Sequence, residues 1–358
     1  MKTKSLFLLF LCLGLALPLV IFSPLASQGA REGLALCGRV IIPSLYPFFV
    51  VANLYIYAGF RREAAASGGR WPGRVLYFLL RQPPAAFGAI LLGLLGGYPM
   101  GAKIAASLLS QGVLTRAQAQ RLQLFCVNAG PAYLLGAVGA GLLGSRRAGL
   151  LLFISLTAAS LVMACVSRFW DTNQEAGIRR QEPGETAPTP PDARLLQAVA
   201  QATKAITGIC AWVVLFSALC ALLRLLPHAL WPAIPTLHVL LEVSSGAAAV
   251  ARGGAALPVL CAALGWGGLS VHCQILGDLR KTGLPLKIFF VSRLVHGAIA
   301  AAICWQLCRW FPTELPASVV AGAVQNARLW TVSAPAAAAL LFFCAFLIMD
   351  LDLRRKIW

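Results

Sequence analysis

The sequence predicts an all-α polytopic membrane protein of about ten spans in two similar halves, and three observations carry that prediction. Of the 358 residues, 59% are apolar and 12% charged, with a mean hydropathy of +0.78, whereas a soluble globular protein carries about 25% charged residues. The apolar stretches, at roughly 20 residues per crossing, fit about ten crossings joined by short polar connections. The charge is also lopsided, with 30 Lys and Arg against 12 Asp and Glu, a net charge of +18. A nucleic-acid binder would gather such an excess on a folded polar domain, and no polar segment is long enough to form one. Basic loops that orient spans account for it under the positive-inside rule. These observations argue against a soluble enzyme and a nucleic-acid partner, and they make the lipid bilayer the first partner.

Taken in order, the elements follow from local chemistry. Lys2 and Lys4 lead an apolar run from Ser5 to Phe22. No A-x-A site follows cleanly and the run is long enough to cross, so a retained helix is expected over 5–25 rather than a signal peptide. A second span covers 36–58. The third, 83–110, contains Gly96-Gly97-Tyr98-Pro99-Met100-Gly101-Ala102-Lys103. Pro99 has no backbone N–H to donate and the glycines relax the chain, so the helix breaks there. The fourth, 122–144, is interrupted in the same way at Asn128-Ala129-Gly130-Pro131, and the fifth covers 148–169. From Asp171 to Asp192, Pro183, Pro188, Pro190 and Pro191 stand among Glu, Gln and Thr, a composition that reads as a flexible loop. The chain thus divides into a membrane half over 1–169, a polar loop over 170–194 and a second half over 195–358. That second half carries spans at 203–226, 236–251, 256–279, 287–310 and 333–350. The eleven cysteines, Cys12, Cys165, Cys220 and Cys344 being typical, sit almost wholly in apolar runs without a CxxC pair or metal-ligand spacing. They read as small hydrophobes, and neither metal nor cofactor is expected.

Sliding the halves over each other by 171 residues brings Gly96 and Gly97 onto Gly267 and Gly268, Leu108 onto Leu279 and Gly112 onto Gly283. If both glycine-broken stretches cross the membrane, the halves run in opposite directions, the inverted-repeat plan of secondary transporters. If each stretch is instead a re-entrant hairpin, the halves run parallel. Loop charges favour crossing: Arg61, Arg62, Arg70, Arg74, Arg146, Arg147, Arg280, Lys281, Arg354, Arg355 and Lys356 fall on one side with Lys2 and Lys4, which would be the cytoplasm. Arg179 and Arg180 in the polar loop run against that assignment.

The candidate site residues lie at the breaks. A helix restarting after Pro99 points its positive end at whatever cavity the break opens. Lys103 beside it reads either as part of an anion site or as a side chain snorkelling to an interface. Asn128 either contacts a ligand or caps the half-helix that restarts at Gly130 or Pro131. In the second half Glu242 precedes Val243-Ser244-Ser245-Gly246, and Gly265-Trp266-Gly267-Gly268-Leu269-Ser270-Val271-His272-Cys273-Gln274 forms the other interruption. Ser270, His272 and Gln274 bring polar groups to membrane depth. His272 can bind an anion, relay a proton or hydrogen-bond a neighbouring carbonyl. Glu242 must be paired, protonated or coupled to a cation. Arg293 and His296, on one helix face, are candidate partners or substrate ligands, with snorkelling the alternative for Arg293. Asp278 beside Arg280 and Lys281 reads as an interfacial cap. No GxSxG, HExxH, Walker or GxGxxG signature with its acidic partner is present, and Ser270 and His272, two apart, do not face each other on a helix, so an enzyme is not expected.

Over most of its length the chain resembles the sporulation integral membrane protein family YlbJ, also called SpoVV, which contains nucleoside-recognition Gate segments. Arg31-Glu32-Gly33-Leu34, Pro43-Ser44-Leu45-Tyr46-Pro47-Phe48-Phe49, Gly97-Tyr98-Pro99-Met100-Gly101-Ala102-Lys103, Gly130-Pro131 and Gly265-Trp266-Gly267-Gly268-Leu269-Ser270-Val271-His272 carry the resemblance. One departure is Cys126-Val127-Asn128-Ala129, where relatives carry Asn with Ser or Thr. The resemblance implies a transporter distantly similar to concentrative nucleoside transporters, in the outer forespore membrane of an endospore-forming bacterium, with dipicolinic acid as cargo. Gly97, Tyr98, Pro99, Gly101, Lys103, Asn128, Gly130, Glu242, Trp266, Gly268, Ser270, His272, Gln274 and Arg293 would then form the substrate site. A small aromatic dianion suits helix N-termini, Lys103 and a cationic His272 or Arg293, and Trp266 or Tyr98 could stack on its ring. A coupling proton or Na⁺ and an oligomeric assembly are compatible with the sequence. The alternatives are a nucleoside or nucleobase carrier and a non-transporting scaffold for spore maturation.

Overall fold

The computed structural model describes residues 14, 16–57, 80–83, 86–169, 191–227, 233–254 and 256–312. The span expected over 333–350, residues 5–13 and 15 of the first and the polar loop over 170–190 lie outside the described residues. Among those described the fold is helical, without strands. Five helical stretches are long and apolar enough to cross a membrane: Ser23–Leu54, Arg146–Ser167, Ala193–Leu225, Leu257–Thr282 and Leu286–Trp310. The protein is accordingly a multi-pass membrane protein.

Helix α1 (Ser23–Leu36) passes through a π-helical turn, Cys37–Ile41, into α2 (Ile42–Tyr57). The helix starts at Ser23 rather than near 36, because Pro24 fits a helix start and the polar patch that follows supports the helix. Within that patch Gln28 donates to Glu32 one turn on, at 3.1 Å. Helix α3 (Phe87–Leu95) stops at Gly96-Gly97 and the chain restarts as α4 (Tyr98–Ser110). Next come α5 (Arg116–Phe125), opened by a reciprocal Thr115–Gln118 capping box, and a π-helix over Ala132–Leu142. Helix α6 (Arg146–Ser167) closes the first half. Helix α7 (Pro191–Leu222) begins earlier than the span expected from 203, so the end of the expected polar loop is helical.

The remaining helices are α8 (Ile234–Leu241), α9 (Val243–Arg252), α10 (Leu257–Trp266), α11 (Gly268–Thr282) and α12 (Leu286–Trp310). Helix α7 lies along α1 and α2, α12 packs between α6 and α10, and the restarted helices α4 and α11 meet each other. Leu152, Leu156, Ala159 and Ser160 of α6 are buried, whereas Leu150, Ile154, Leu161 and Val166 of the same helix are exposed. An outward face of large aliphatics suits lipid. Glycines set the closest approaches. At Gly101 a Cβ would overlap the Cys126 carbonyl, and at Gly265 it would stand 2.6 Å from Gly297 Cα, so α4 meets the α5 break, and α10 meets α12, backbone to backbone.

The glycine pairs of the two halves share more than spacing. Gly97 and Gly268 both have positive φ, 87° and 78°, and Gly112 and Gly283, which follow α4 and α11, have φ 69° and 71°, whereas Gly96 and Gly267 differ, at −82° and 84°. Glycine adopts such values without the steric cost other residues meet.

Candidate functional site

Four interruptions lie in the described chain: between α3 and α4, between α5 and the π-helix, at Glu242 between α8 and α9, and at Gly267 between α10 and α11. They are stitched to one another. Every half-helix that ends inside the membrane leaves carbonyls without helical partners and without water to satisfy them. Tyr98 Oη donates to the Leu264 carbonyl in the last turn of α10 at 2.6 Å, and Trp266 Nε1 donates to the Leu240 carbonyl in the last turn of α8 at 3.3 Å. The Arg293 guanidinium forks to the Leu124 and Val127 carbonyls at the end of α5. Asn128 Nδ2 donates to the Phe125 carbonyl at 2.6 Å, so its amide closes the half-helix that ends there rather than opening the next. Glu242 caps the start of α9: its Oε2 accepts from the backbone N–H groups of Ser244 and Ser245, at 2.9 and 2.6 Å. Gly268 packs so tightly on Glu242 that a Cβ would stand 3.1 Å from its Cα.

A cleft of about 510 Å³ of empty space opens where these interruptions converge. Gly97, Tyr98 and Pro99 line it at the start of α4, Gly130 just before the π-helix, and Glu242, Val243 and Ser244 at the start of α9. Gln274 of α11 adds an amide. Six of the residues expected to form a site are therefore in its wall: Gly97, Tyr98, Pro99, Gly130, Glu242 and Gln274.

The others stand behind or beside it. Gly101 serves the contact with Cys126 and Gly268 the contact with Glu242. Lys103, half-buried in the second turn of α4, does not line the cleft; the charges that act on it are Asp278, Lys281 and Lys204. His272 is buried, its Nδ1 donating to the Gly268 carbonyl at 2.6 Å and its ring held among Trp266, Phe289 and Phe290. Ser270 is fully buried. Arg293, 2% exposed in the middle of α12, neither reaches an interface nor lines the cleft, and so takes neither role expected of it. His296 is likewise internal, its Nε2 near Ser160 Oγ and its Nδ1 near the Gly265 carbonyl, where it joins α6, α10 and α12. Asp278 forms an ion pair with Lys281 at 3.0 Å.

Several wall residues were not expected. Tyr133 and Ser244 face each other, hydroxyl to hydroxyl, at 3.3 Å across the cleft, and Ser44, Leu45 and Ile209 also line it. Ser44 and Leu45 lie in the Pro-rich block Pro43-Ser44-Leu45-Tyr46-Pro47, and Ser244 follows Glu242, so their neighbourhoods carried a signal. Ile209 is one apolar residue among many in α7 and carried none.

Interrupted helices, outward apolar faces and an internal cleft describe a multi-pass membrane protein, and comparison with known proteins supplies a relative. The chain is 28% identical, over 340 aligned residues, to the sporulation integral membrane protein YlbJ of Bacillus subtilis, covering 82% of this chain and 80% of the relative. This similarity supports membership of the YlbJ family. That relative is named as an integral membrane protein of sporulation, and the five long apolar helices of this chain agree with a multi-pass membrane protein. No family model and no solved structure matches it. What the cleft of this chain holds is therefore argued from its wall.

Proposed function

We propose that this protein is a transporter of a small anionic metabolite, dipicolinate, carrying it from the mother cell across the outer forespore membrane toward the developing spore. Its architecture on this reading is about ten spans in two inverted halves. The observation that carries the reading is the cleft at the convergence of the interruptions, walled by the starts of α4 and α9 and by Gly130. Irregular backbone at membrane depth is tolerated only where protein or a water-filled cavity surrounds it, and secondary transporters place their substrate sites at such breaks. The start of α4 presents N–H groups and the positive end of a helix dipole, which suits a ligand bearing carboxylates, whereas at α9 Glu242 already takes the Ser244 and Ser245 amides. The positive φ common to Gly97 and Gly268, and to Gly112 and Gly283, supports the two-half plan, and the relative's sporulation class supports the setting.

Reconstituted protein should take up dipicolinate into liposomes, with saturation, and protein-free liposomes should not; saturable uptake absent from the reconstituted protein would sink the proposal. A nucleoside or nucleobase carrier is the second reading, favoured by Glu242 and Gln274 in the wall, an acceptor and an amide able to meet the polar edge of a base. Strong competition by uridine or adenosine with none by dipicolinate would decide for it.

A further inference from the structure

The charge of the cleft wall is at odds with an anionic cargo, and the disagreement is informative. Among the lining residues there is no Lys, Arg or His, and the one carboxyl is Glu242. Glu242 is fully buried; its Oε2 is held by the Ser244 and Ser245 amides, while Oε1 has no hydrogen-bond partner among the described residues. Among the described residues, its charge acts on Tyr98 of α4, Tyr133 of the π-helix, Cys37 of the π-turn and Cys220 of α7. None of them is a cation. One turn back in α8, His238 is turned to the Ile234 carbonyl at 2.9 Å. The buried guanidinium of Arg293 is taken up by the carbonyls at the end of α5. A dicarboxylate entering this space meets the Glu242 carboxylate with no cation among the described lining residues, and unscreened like charges in a dry site are strongly unfavourable.

We propose that Glu242 takes a proton on Oε1 when the anionic cargo binds and gives it up when the cargo leaves, so that one proton travels with each substrate. The inference rests on the transport reading above. With the proton in place, Oε1–H donates a hydrogen bond to a cargo carboxylate while Oε2 keeps its two backbone donors. One group thereby does two jobs: it removes the repulsion and adds a donor beside the Ser244 hydroxyl, which accepts from Tyr133 and so keeps its own hydrogen to give, and the start of α4. Release of the proton to the opposite side restores the repulsion and expels the cargo. The proton is conserved throughout, entering from one aqueous phase and leaving to the other.

Glu242→Gln separates the roles. The glutamine oxygen can still accept from the Ser244 and Ser245 amides, and its NH₂ group stands in permanently for the protonated oxygen. The experiment is binding of dipicolinate to purified protein from about pH 6 to about pH 8, a range in which the carboxyls of free dipicolinate stay ionised. Dipicolinate uptake into liposomes under an imposed pH gradient is measured alongside. Wild-type affinity should strengthen by up to about tenfold per unit fall in pH, the linkage for one proton taken up per ligand. E242Q should bind with no such slope, exchange dipicolinate across the membrane and fail to accumulate it against a gradient. Wild-type affinity that does not vary with pH overturns the coupling, and E242Q that keeps the wild-type slope overturns Glu242 as its seat. E242Q that melts like wild type yet binds no dipicolinate overturns the donor role of Oε1. Wild-type protein that binds no dipicolinate at any pH overturns the transport reading itself.

Discussion

Arg293 shows at the residue scale how membrane depth turns a conspicuous side chain toward the protein itself. Its guanidinium satisfies the carbonyls of Leu124 and Val127 at the end of α5, while Asn128 takes that of Phe125. In water those carbonyls would be solvated; here each unmet group costs roughly 1–3 kcal/mol. Arg293→Lys keeps the charge but loses the planar fork, so we expect a lower melting temperature in detergent, with dipicolinate affinity in the surviving folded protein little changed. A large loss of affinity without loss of stability would instead make Arg293 a ligand. Gly101 is a second case. Its missing Cβ lets α4 lie on the Cys126 backbone, and Gly101→Ala should destabilise by about 1–3 kcal/mol or more through overpacking. Thermal unfolding of that variant at wild-type stability would show that the contact is loose.

At the scale of the element, the interruptions are set by backbone chemistry that the sequence displays openly. Pro99 and Pro131 cannot donate, and Gly97, Gly267 and Gly268 take positive φ. Gly268 does most, since it both turns the chain between α10 and α11 and lies against Glu242, where a Cβ would meet Val243 N at 2.9 Å. Gly268→Ala carries about 1–2 kcal/mol of left-handed strain together with that clash. We expect it to displace Glu242 and weaken dipicolinate binding more than Gly277→Ala, a position where a Cβ meets nothing within 4 Å. Equal affinities for the two variants would mean that the break does not shape the cleft. The element boundaries read less well than the breaks. Polar residues between Ser27 and Glu32 look like a gap between spans, yet they are ordinary helix formers and the helix runs through them.

For the whole molecule, the basic residues remain the guide to orientation. Arg147 begins α6 and Lys281 ends α11, both exposed. The positive-inside rule places them on one face, the cytoplasmic one. Single cysteines at these two positions, in a background with the native cysteines replaced, should both react with an impermeant maleimide from that face alone. Labelling from opposite faces would break the proposed topology. The sequence alone determined the membrane class, the helical content and where the helices break, because apolar run length, proline and glycine act locally and need no partner to do so. Six wall residues were legible for the same reason, lying at or next to those breaks. What only the tertiary structure decided is which polar groups face the cleft. Tyr98, Trp266 and Asn128 lie in or beside the breaks in sequence and Arg293 lies within α12, but carbonyls left by half-helices, distant in the chain for all but Asn128, claim their donors, while among the described residues Glu242 Oε1 has no partner. That allocation depends on which helix end lies beside which side chain, and a linear pattern does not contain it.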